Sequence, residues 1–342
     1  MEEETFIVEA LFSNEREAQV MAAKELGKLA SKLRQKLAEK GIISRLVMML
    51  HTQDCEAMEA ALLALLSLAF HSERNKVRIA NSGAIPALLN IIIQFQNQSE
   101  VLIDLSVAAL LILSSSTPNK LAIASSGAIQ LLIQSLNSQF SENGTQFLSI
   151  QAQLDVLSTF HNLSTCPQII PSIVSSGMVC TLLHLVYNLE KSSGLAEKAL
   201  ALLEKVVLSS EIALNEVAEN ASVVIQLLVE AIEEGRLNCK EHAVGILLVL
   251  CQSCRERYRG MILREGAIPG LLQLSVDGTF KAREKAKSLL QLLRDCSPDC
   301  VRKEKQSSKN YLLERVMRQI DGDERNGIEL RIVEEMIAKL RT

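Results

Sequence analysis

The chain has 342 residues, of which 48% are hydrophobic, 22% charged and 3% aromatic, and it has no tryptophan. This apolar fraction excludes an intrinsically disordered chain, because it is enough to form a core. With 36 Lys and Arg against 40 Asp and Glu, the net charge of −4 and the few aromatic side chains disfavour a nucleic-acid-binding protein.

The predicted elements are all helices, and most of them belong to a repeated phrase. A helical pattern at 15–31 comes first, and we interpret 1–33 as an N-terminal cap and partial repeat. A short helix, a glycine and an apolar helix then recur about every 45 residues, the spacing of helical HEAT and armadillo repeats. The copies are KGIISRLV at 40–47, SGAIPALL at 82–89, SGAIQLLI at 126–133, SGMVCTLL at 176–183 and EGAIPGLL at 265–272.

A further copy near 211–231 has lost its glycine, so we predict six repeats. Their bounds are 34–71, 75–115, 119–164, 167–208, 211–253 and 257–295, which together make a repeat region at 34–295. A long amphipathic third helix closes each repeat. These third helices are predicted at 55–70, 98–114, 149–164, 194–208, 238–253 and 280–294.

Glycine stands between the first two helices of five copies. A sharp corner with positive φ suits glycine, which has no Cβ to clash there. The corner glycines are Gly41, Gly83, Gly127, Gly177 and Gly266. Three helices with such a corner favour the armadillo arrangement over the two-helix HEAT unit.

The phrases SGAIPxLL and NKxxIAxSGAIxxLI resemble plant armadillo-repeat proteins, above all the armadillo region of plant U-box ubiquitin ligases. The stretches at 195–206, 239–251 and 264–293 strengthen the resemblance, which covers about residues 10 to 295. It implies an all-α fold, a right-handed superhelical solenoid of about six three-helix repeats. In that family the U-box recruits a ubiquitin-conjugating enzyme and the repeats bind substrates or regulatory kinases. No segment here resembles a U-box, so we expect the binding role and not ligase activity.

The resemblance also implies a partner groove lined by the third helices. In import receptors and catenins, Trp and Asn residues spaced four apart hold an extended peptide there. The matching pairs here are Leu63/Ser67, Leu110/Ser114, Ser158/Asn162, Ala201/Lys205, Gly245/Val249 and Ser288/Leu292. Only Asn162 keeps the amide, so binding of import-type peptides is disfavoured.

One helical turn earlier, four of six positions are glutamate. The residues are Glu59, Ser106, Leu154, Glu197, Glu241 and Glu284. They form either a solvated helix face or an acidic wall that selects basic or mixed-charge partners.

Catalytic and metal-binding patterns are weak. The five histidines are scattered, and we find no Ser/His/Asp order and no phosphate-binding loop. Cys251, Cys254, Cys296 and Cys300 could bind zinc, but Cys251 lies in an apolar run typical of a core. We expect no enzyme, cofactor, metal or small-molecule substrate, and a noncatalytic scaffold or adaptor with protein partners. A substrate-binding component of a ubiquitin ligase, with the U-box or RING domain supplied in trans, is the alternative.

The C-terminal segment has a different pattern. A charged linker at 296–309 precedes two amphipathic stretches, which predict a helical hairpin at 310–342. This hairpin either caps the last repeat or docks a partner. The longest apolar stretches are shorter than the about 20 residues of a membrane span, and the start of the chain is acidic, unlike a targeting peptide. We therefore expect a cytoplasmic or nuclear protein without membrane insertion.

Overall fold

The structure is a computed structural model that describes residues 2–96, 98–138 and 148–294. Within these ranges the chain forms twenty α-helices and no β-strand. It divides into two units, residues 1–181 and 182–342, and its fold is that of an armadillo-repeat protein. The predicted linker at 296–309 and hairpin at 310–342 lie outside the described residues.

The first unit begins with two helices and continues with three-helix repeats. Its helices are α1 (Glu2–Phe12), α2 (Arg16–Lys28), α3 (Ser31–Glu39), α4 (Ile42–Met49), α5 (Cys55–Ala69), α6 (Glu73–Asn81), α7 (Ala84–Gln94), α8 (Glu100–Ser114), α9 (Thr117–Ser125), α10 (Ala128–Asn137), α11 (Ile150–Leu163) and α12 (Ile170–Ser175). The third helices α5, α8 and α11 pack in sequence, α5 on α8 and α8 on α11.

The division between the units falls within α13 (Met178–Asn188). The helices that follow are α14 (Gly194–Ser209), α15 (Glu211–Glu219), α16 (Ala221–Glu234), α17 (Leu237–Ser253), α18 (Arg255–Arg264), α19 (Ile268–Asp277) and α20 (Phe280–Leu293). The third helices α14, α17 and α20 pack in the same manner, α14 on α17 and α17 on α20. All six predicted third helices are present, with ends within about two residues of the prediction.

The corner glycines have the left-handed conformation that their positions predict. Their φ angles lie between +75° and +87°. An L-residue in this region brings its Cβ too close to the following carbonyl oxygen, which explains why the same residue type recurs.

The corner without a glycine is built differently. Only Asn220 separates α15 from α16, and its φ of −105° is negative, unlike that of the corner glycines. The two helices are nevertheless bent by 94°, against 70° for α6 and α7. A single bridging residue therefore replaces the glycine corner in this repeat.

Basic residues of the first helices hold the C-terminal ends of the third helices. Lys76 Nζ donates to Ser115 Oγ (2.8 Å), and Lys120 Nζ donates to Thr165 Oγ1. In the second unit, Arg259 Nε donates to the carbonyl of Leu293 (2.9 Å). A cation at a helix C-terminus also compensates the helix dipole, so the basic residue of the repeated phrase has a structural role.

The asparagine before that lysine has a related role. Asn75 Nδ2 donates to the carbonyl of Leu68 (2.9 Å), at the end of α5, and Asn119 Nδ2 donates to that of Leu113 (3.1 Å), at the end of α8. Carbonyls in the last turn of a helix have no partner within that helix, and that of Leu113 also accepts from the N–H of Ser116 (3.2 Å). The Asn-Lys pair of the phrase thus connects successive repeats within the first unit.

The last described third helix has exposed basic side chains at positions that are less exposed on an earlier one. Arg283 and Lys287 of α20 are exposed, whereas the residues of α14 at the same distance from the N-cap, Glu197 and Ala201, are half-buried. A polar outer side is the property of a terminal solenoid repeat. At these two positions α20 presents no apolar surface for a cap to cover.

Among the described residues, no single helix has the length and apolar composition to cross a membrane. Two bent pairs, α6 with α7 and α15 with α16, reach that length and composition only when each pair is taken together.

Candidate protein-binding face of the third helices

Side-chain caps fix the register of the third helices in the first unit. Asp54, Ser99 and Ser149 each accept a hydrogen bond from the backbone N–H three residues further on. An N-cap of this kind satisfies one of the free N–H groups of the first turn. Equivalent positions on α5, α8 and α11 can therefore be counted from the cap.

This register corrects one of the sequence-based pairs. Leu110 and Ser114 were expected in the groove, but both are 0% exposed. Counted from the caps, the residues of α8 that match Leu63 and Ser67 of α5 are instead Ala108 and Ile112, two positions earlier. Two residues correspond to about 200° around an α-helix, so the expected pair points into the core.

The same correction adds an acid to the glutamate row. The residue five positions after the cap is Glu59 in α5, Asp104 in α8 and Leu154 in α11. Ser106, the residue expected in this row, is fully buried. Asp104 is half-buried, and its Oδ1 atom is buried without a hydrogen-bond partner. A carboxylate oxygen withdrawn from water without a donor lowers stability.

The third-helix face of the first unit, defined here as the outward side of α5, α8 and α11, is otherwise largely apolar. Leu63 is 47% exposed and Val101 52%, and Phe70, directly after the end of α5, is 59% exposed. Ser158 and Asn162 are half-buried on α11, and Asn162 Nδ2 donates to Ser114 Oγ at 3.0 Å. Because this bond joins α11 to α8, the one asparagine among the six pairs takes part in helix packing.

The third-helix face of the second unit, on α14, α17 and α20, contains a cluster of charged side chains that bond to one another. Glu204, 8% exposed, accepts from Lys285 Nζ (2.7 Å) and lies 2.8 Å from His242 Nδ1. Burial by itself raises the pKa of Glu204, but the hydrogen bonds from His242 and Lys285 and the charge of Lys285 outweigh it, and the pKa lies below its ordinary value.

The expected acidic wall of the second unit is partly occupied. Glu197 accepts from Asn238 Nδ2 (3.0 Å), and Glu241 accepts from the hydroxyl of Thr279. Only Glu284 is exposed. Two of the three glutamates therefore bond to neighbouring residues of their own unit.

Gly245 makes the cluster around Glu204 possible. A Cβ atom at this position would lie 1.7 Å from Glu204 Oε1 and 3.0 Å from Lys285 Nζ. A side chain at this position would therefore displace the Glu204 carboxylate, which covers the glycine. Gly245 was expected in the groove, whereas no sequence pattern pointed to Glu204.

The remaining residues expected in the groove are all at least partly exposed. Ser288 is exposed, and the half-buried residues are Ser67, Ala201, Lys205 and Val249.

Two cysteines of the possible zinc site can be placed. Cys251 is buried, which raises the pKa of its thiol, and Cys254 is exposed. Cys296 and Cys300 lie outside the described residues. In the part of the chain that the structure describes, no group of three or more His, Cys, Asp or Glu side chains could hold a metal ion.

Known proteins similar to this chain include U-box proteins. U-box domain-containing protein 45 of Arabidopsis thaliana is 31% identical over 76% of this chain and 32% of its own length. U-box domain-containing protein 17 of the same plant is 30% identical over 85% of this chain and 38% of its own length. The chain thus spans about a third of the length of these relatives.

A solved structure and a family model agree on the repeat. A designed armadillo repeat protein matches 73% of this chain with a TM-score of 0.60, at 17% identity and over 99% of its own length. The family model of the plant U-box protein ARM repeat region matches residues 7–311. With that match across most of its length, the chain belongs to the family of plant U-box protein ARM repeat regions.

Proposed function

We propose that this chain is a noncatalytic scaffold or adaptor that binds protein partners through its third helices. The observation that carries the proposal is the third-helix face of the first unit, where Leu63, Phe70 and Val101 are about half exposed. Exposed apolar surface on packed, regular helices is suited to partner binding. Repeat proteins commonly present such extended surfaces to other proteins.

Protein partners are favoured over nucleic acid. The chain has a net charge of −4, and a nucleic-acid surface requires a cluster of positive charge. The partners would belong to ubiquitin-ligase or receptor-kinase signalling, as the family implies. We place the protein in the cytoplasm, the nucleus or both, which a fluorescent fusion in plant cells would test.

Site-specific photo-crosslinking tests the binding face. A photoreactive amino acid is placed at Leu63, 47% exposed on α5, or at Ile93, 54% exposed on α7. We expect proteins crosslinked from Leu63 in plant cells and identified by mass spectrometry, with Ile93 as the exposure-matched control. Crosslinks from Ile93 alone would move the binding surface away from the third helices.

A second candidate is the substrate-binding component of a ubiquitin ligase, with catalysis supplied in trans. The observation in its favour is the similarity to U-box proteins at 30% and 31% identity. An assay with ubiquitin, activating and conjugating enzymes and a crosslinked partner would be run with and without a separate U-box protein. Ubiquitin transfer to the partner that needs both the chain and the U-box protein would support this role, and transfer independent of the chain would contradict it.

A further inference from the structure

Charge is distributed unequally between the third helices of the two units. Helices α5, α8 and α11 contain no lysine or arginine, and their charged residues are Glu56, Glu59, Glu100, Asp104 and Asp155. Helices α14, α17 and α20 contain seven basic residues, which are Lys198, Lys205, Lys240, Lys281, Arg283, Lys285 and Lys287. The first unit therefore presents acids without basic neighbours on the same three helices.

Two of these acids are compensated within the first unit. Glu56 pairs with Lys24 Nζ (2.8 Å) and with Arg16 (3.0 Å). Asp155 accepts from Gln151 Nε2 (2.8 Å). These carboxylates already have donors, so a partner gains little by approaching them.

Glu59 and Asp104 differ from them. Glu59 is exposed and makes no ion pair among the described residues, and Asp104 has one buried oxygen without a donor. Both stand five residues after their helix caps, in the same row of adjacent, packed helices. A cation beside this row would be attracted by the negative charge of both carboxylates.

The surroundings of the two acids are apolar. Leu63 lies one turn after Glu59 on α5, Val101 lies one turn before Asp104 on α8, and both are about half exposed. A fully polar ligand would leave these side chains in water, whereas aliphatic or aromatic groups would cover them. The face thus combines apolar contact area with negative charge.

We propose that the third-helix face of the first unit binds a polypeptide segment that carries lysine or arginine among aliphatic or aromatic side chains. The basic group lies beside Glu59 and Asp104, and the apolar groups cover Leu63 and its neighbours. This inference rests on the proposed scaffold function and assigns partner chemistry to one of its two faces. Recognition depends on carboxylates and apolar area, and the asparagine ladder of import receptors is not needed.

The test is a selection of random peptides, displayed on phage, against the full-length chain. Enriched sequences should combine Lys or Arg with aliphatic or aromatic residues. A synthetic peptide of the consensus sequence is then titrated against the chain and its variants by fluorescence anisotropy. Raising the salt concentration should weaken binding, because part of the attraction is electrostatic.

Two double variants with the same change in charge separate the faces. We expect Glu59→Gln/Asp104→Asn to weaken the consensus peptide about tenfold. Glu197→Gln/Glu284→Gln, in the second unit, should change its affinity less than about twofold. Leu63→Ser, at an exposed position that folding tolerates, should also weaken binding, and circular dichroism confirms that each variant is folded.

The outcomes distinguish this inference from the proposed function. Enrichment of acidic or uncharged peptides, or equal loss with the two double variants, would overturn the inference while leaving the scaffold function in place. A selection that enriches no peptide, together with no crosslinks from Leu63, would overturn both.

Discussion

Replacing Gly245 by alanine should destabilise the second unit, although the same substitution usually stabilises a helix. The new Cβ atom would lie 1.7 Å from Glu204 Oε1 and 2.6 Å from its Cδ. Both distances are below any real contact of a Cβ atom, so the Glu204 side chain must leave its position. Its bonds to Lys285 and His242, 2.7 and 2.8 Å long, are then lost.

The size of the destabilisation follows from the burial of Glu204, Lys285 and His242. Breaking a buried ion pair costs about 3–5 kcal/mol, but Lys285 and His242 keep 24% and 23% of their side-chain surface exposed, which reduces this figure. Alanine returns about 0.5–1 kcal/mol because it is the better helix former. We expect Gly245→Ala to lower the free energy of unfolding by about 1–3 kcal/mol, measured by urea denaturation followed by circular dichroism.

Two controls isolate the steric cause. Gly260 also lies within a helix, α18, and a Cβ there meets nothing within 4 Å, so Gly260→Ala should stabilise by about 0.4–1 kcal/mol. In a Glu204→Ala background the obstacle is gone, and Gly245→Ala should become neutral or stabilising. Wild-type stability of the single variant Gly245→Ala would refute the reasoning.

Three further predictions concern the corner, the helix ends and pH. Gly127 has φ of +86°, and a Cβ atom there would meet nothing within 4 Å. Gly127→Val should therefore lower the free energy of unfolding by about 1–2 kcal/mol through the backbone alone, and Gly127→Asn by less. Equal melting temperatures of wild type and Gly127→Val would contradict this. Asn119→Ala should cost about 1–2 kcal/mol because two carbonyls lose a donor, with the exposed Asn90→Ala as a near-neutral control in the same denaturation assay. The pKa of Glu204 is depressed, so the stabilisation by its carboxylate is complete above the ordinary pKa of 4.5 and is lost as pH falls below that value. The difference in stability between wild type and Glu204→Gln should therefore shrink in melts below pH 4.5. A constant difference would show that ionisation of Glu204 is not the cause.

The sequence predicts the features that need one residue type in each repeat. A left-handed corner favours glycine, so glycine recurs at the same position of successive repeats, as at Gly83, Gly127 and Gly266. The corner at Asn220 has no glycine in the sequence, because many residue types can adopt its negative φ. The repeat and its third helices follow from this periodicity.

The register of α8 could not be predicted for a physical reason. Its sequence is apolar on nearly every side, so Leu110 and Ala108 look alike until the packing shows that only Leu110 is fully buried. The cap at Ser99 gives the only local signal of register. The cluster around Glu204 leaves no periodic signal either, since Lys285 and His242 lie 81 and 38 residues away in the chain.

Asp104 provides a test of whether an acidic residue on the third-helix face of the first unit lowers the stability of the fold. It lies beyond the first turn of α8, where the helix dipole stabilises a negative charge much less, and its Oδ1 atom is buried without a donor. Asp104→Ala removes that oxygen and introduces the better helix former, so the free energy of unfolding should rise by about 1 kcal/mol. Asp155→Ala is the matched control, because Asp155 accepts a hydrogen bond from Gln151 and its loss offsets the gain in helix propensity. A variant that is more stable but binds the consensus peptide more weakly would mean that the carboxylate is kept for binding at the expense of stability. Lower stability of Asp104→Ala would instead mean that the carboxylate stabilises the first unit, and the argument from its unpartnered oxygen would be wrong.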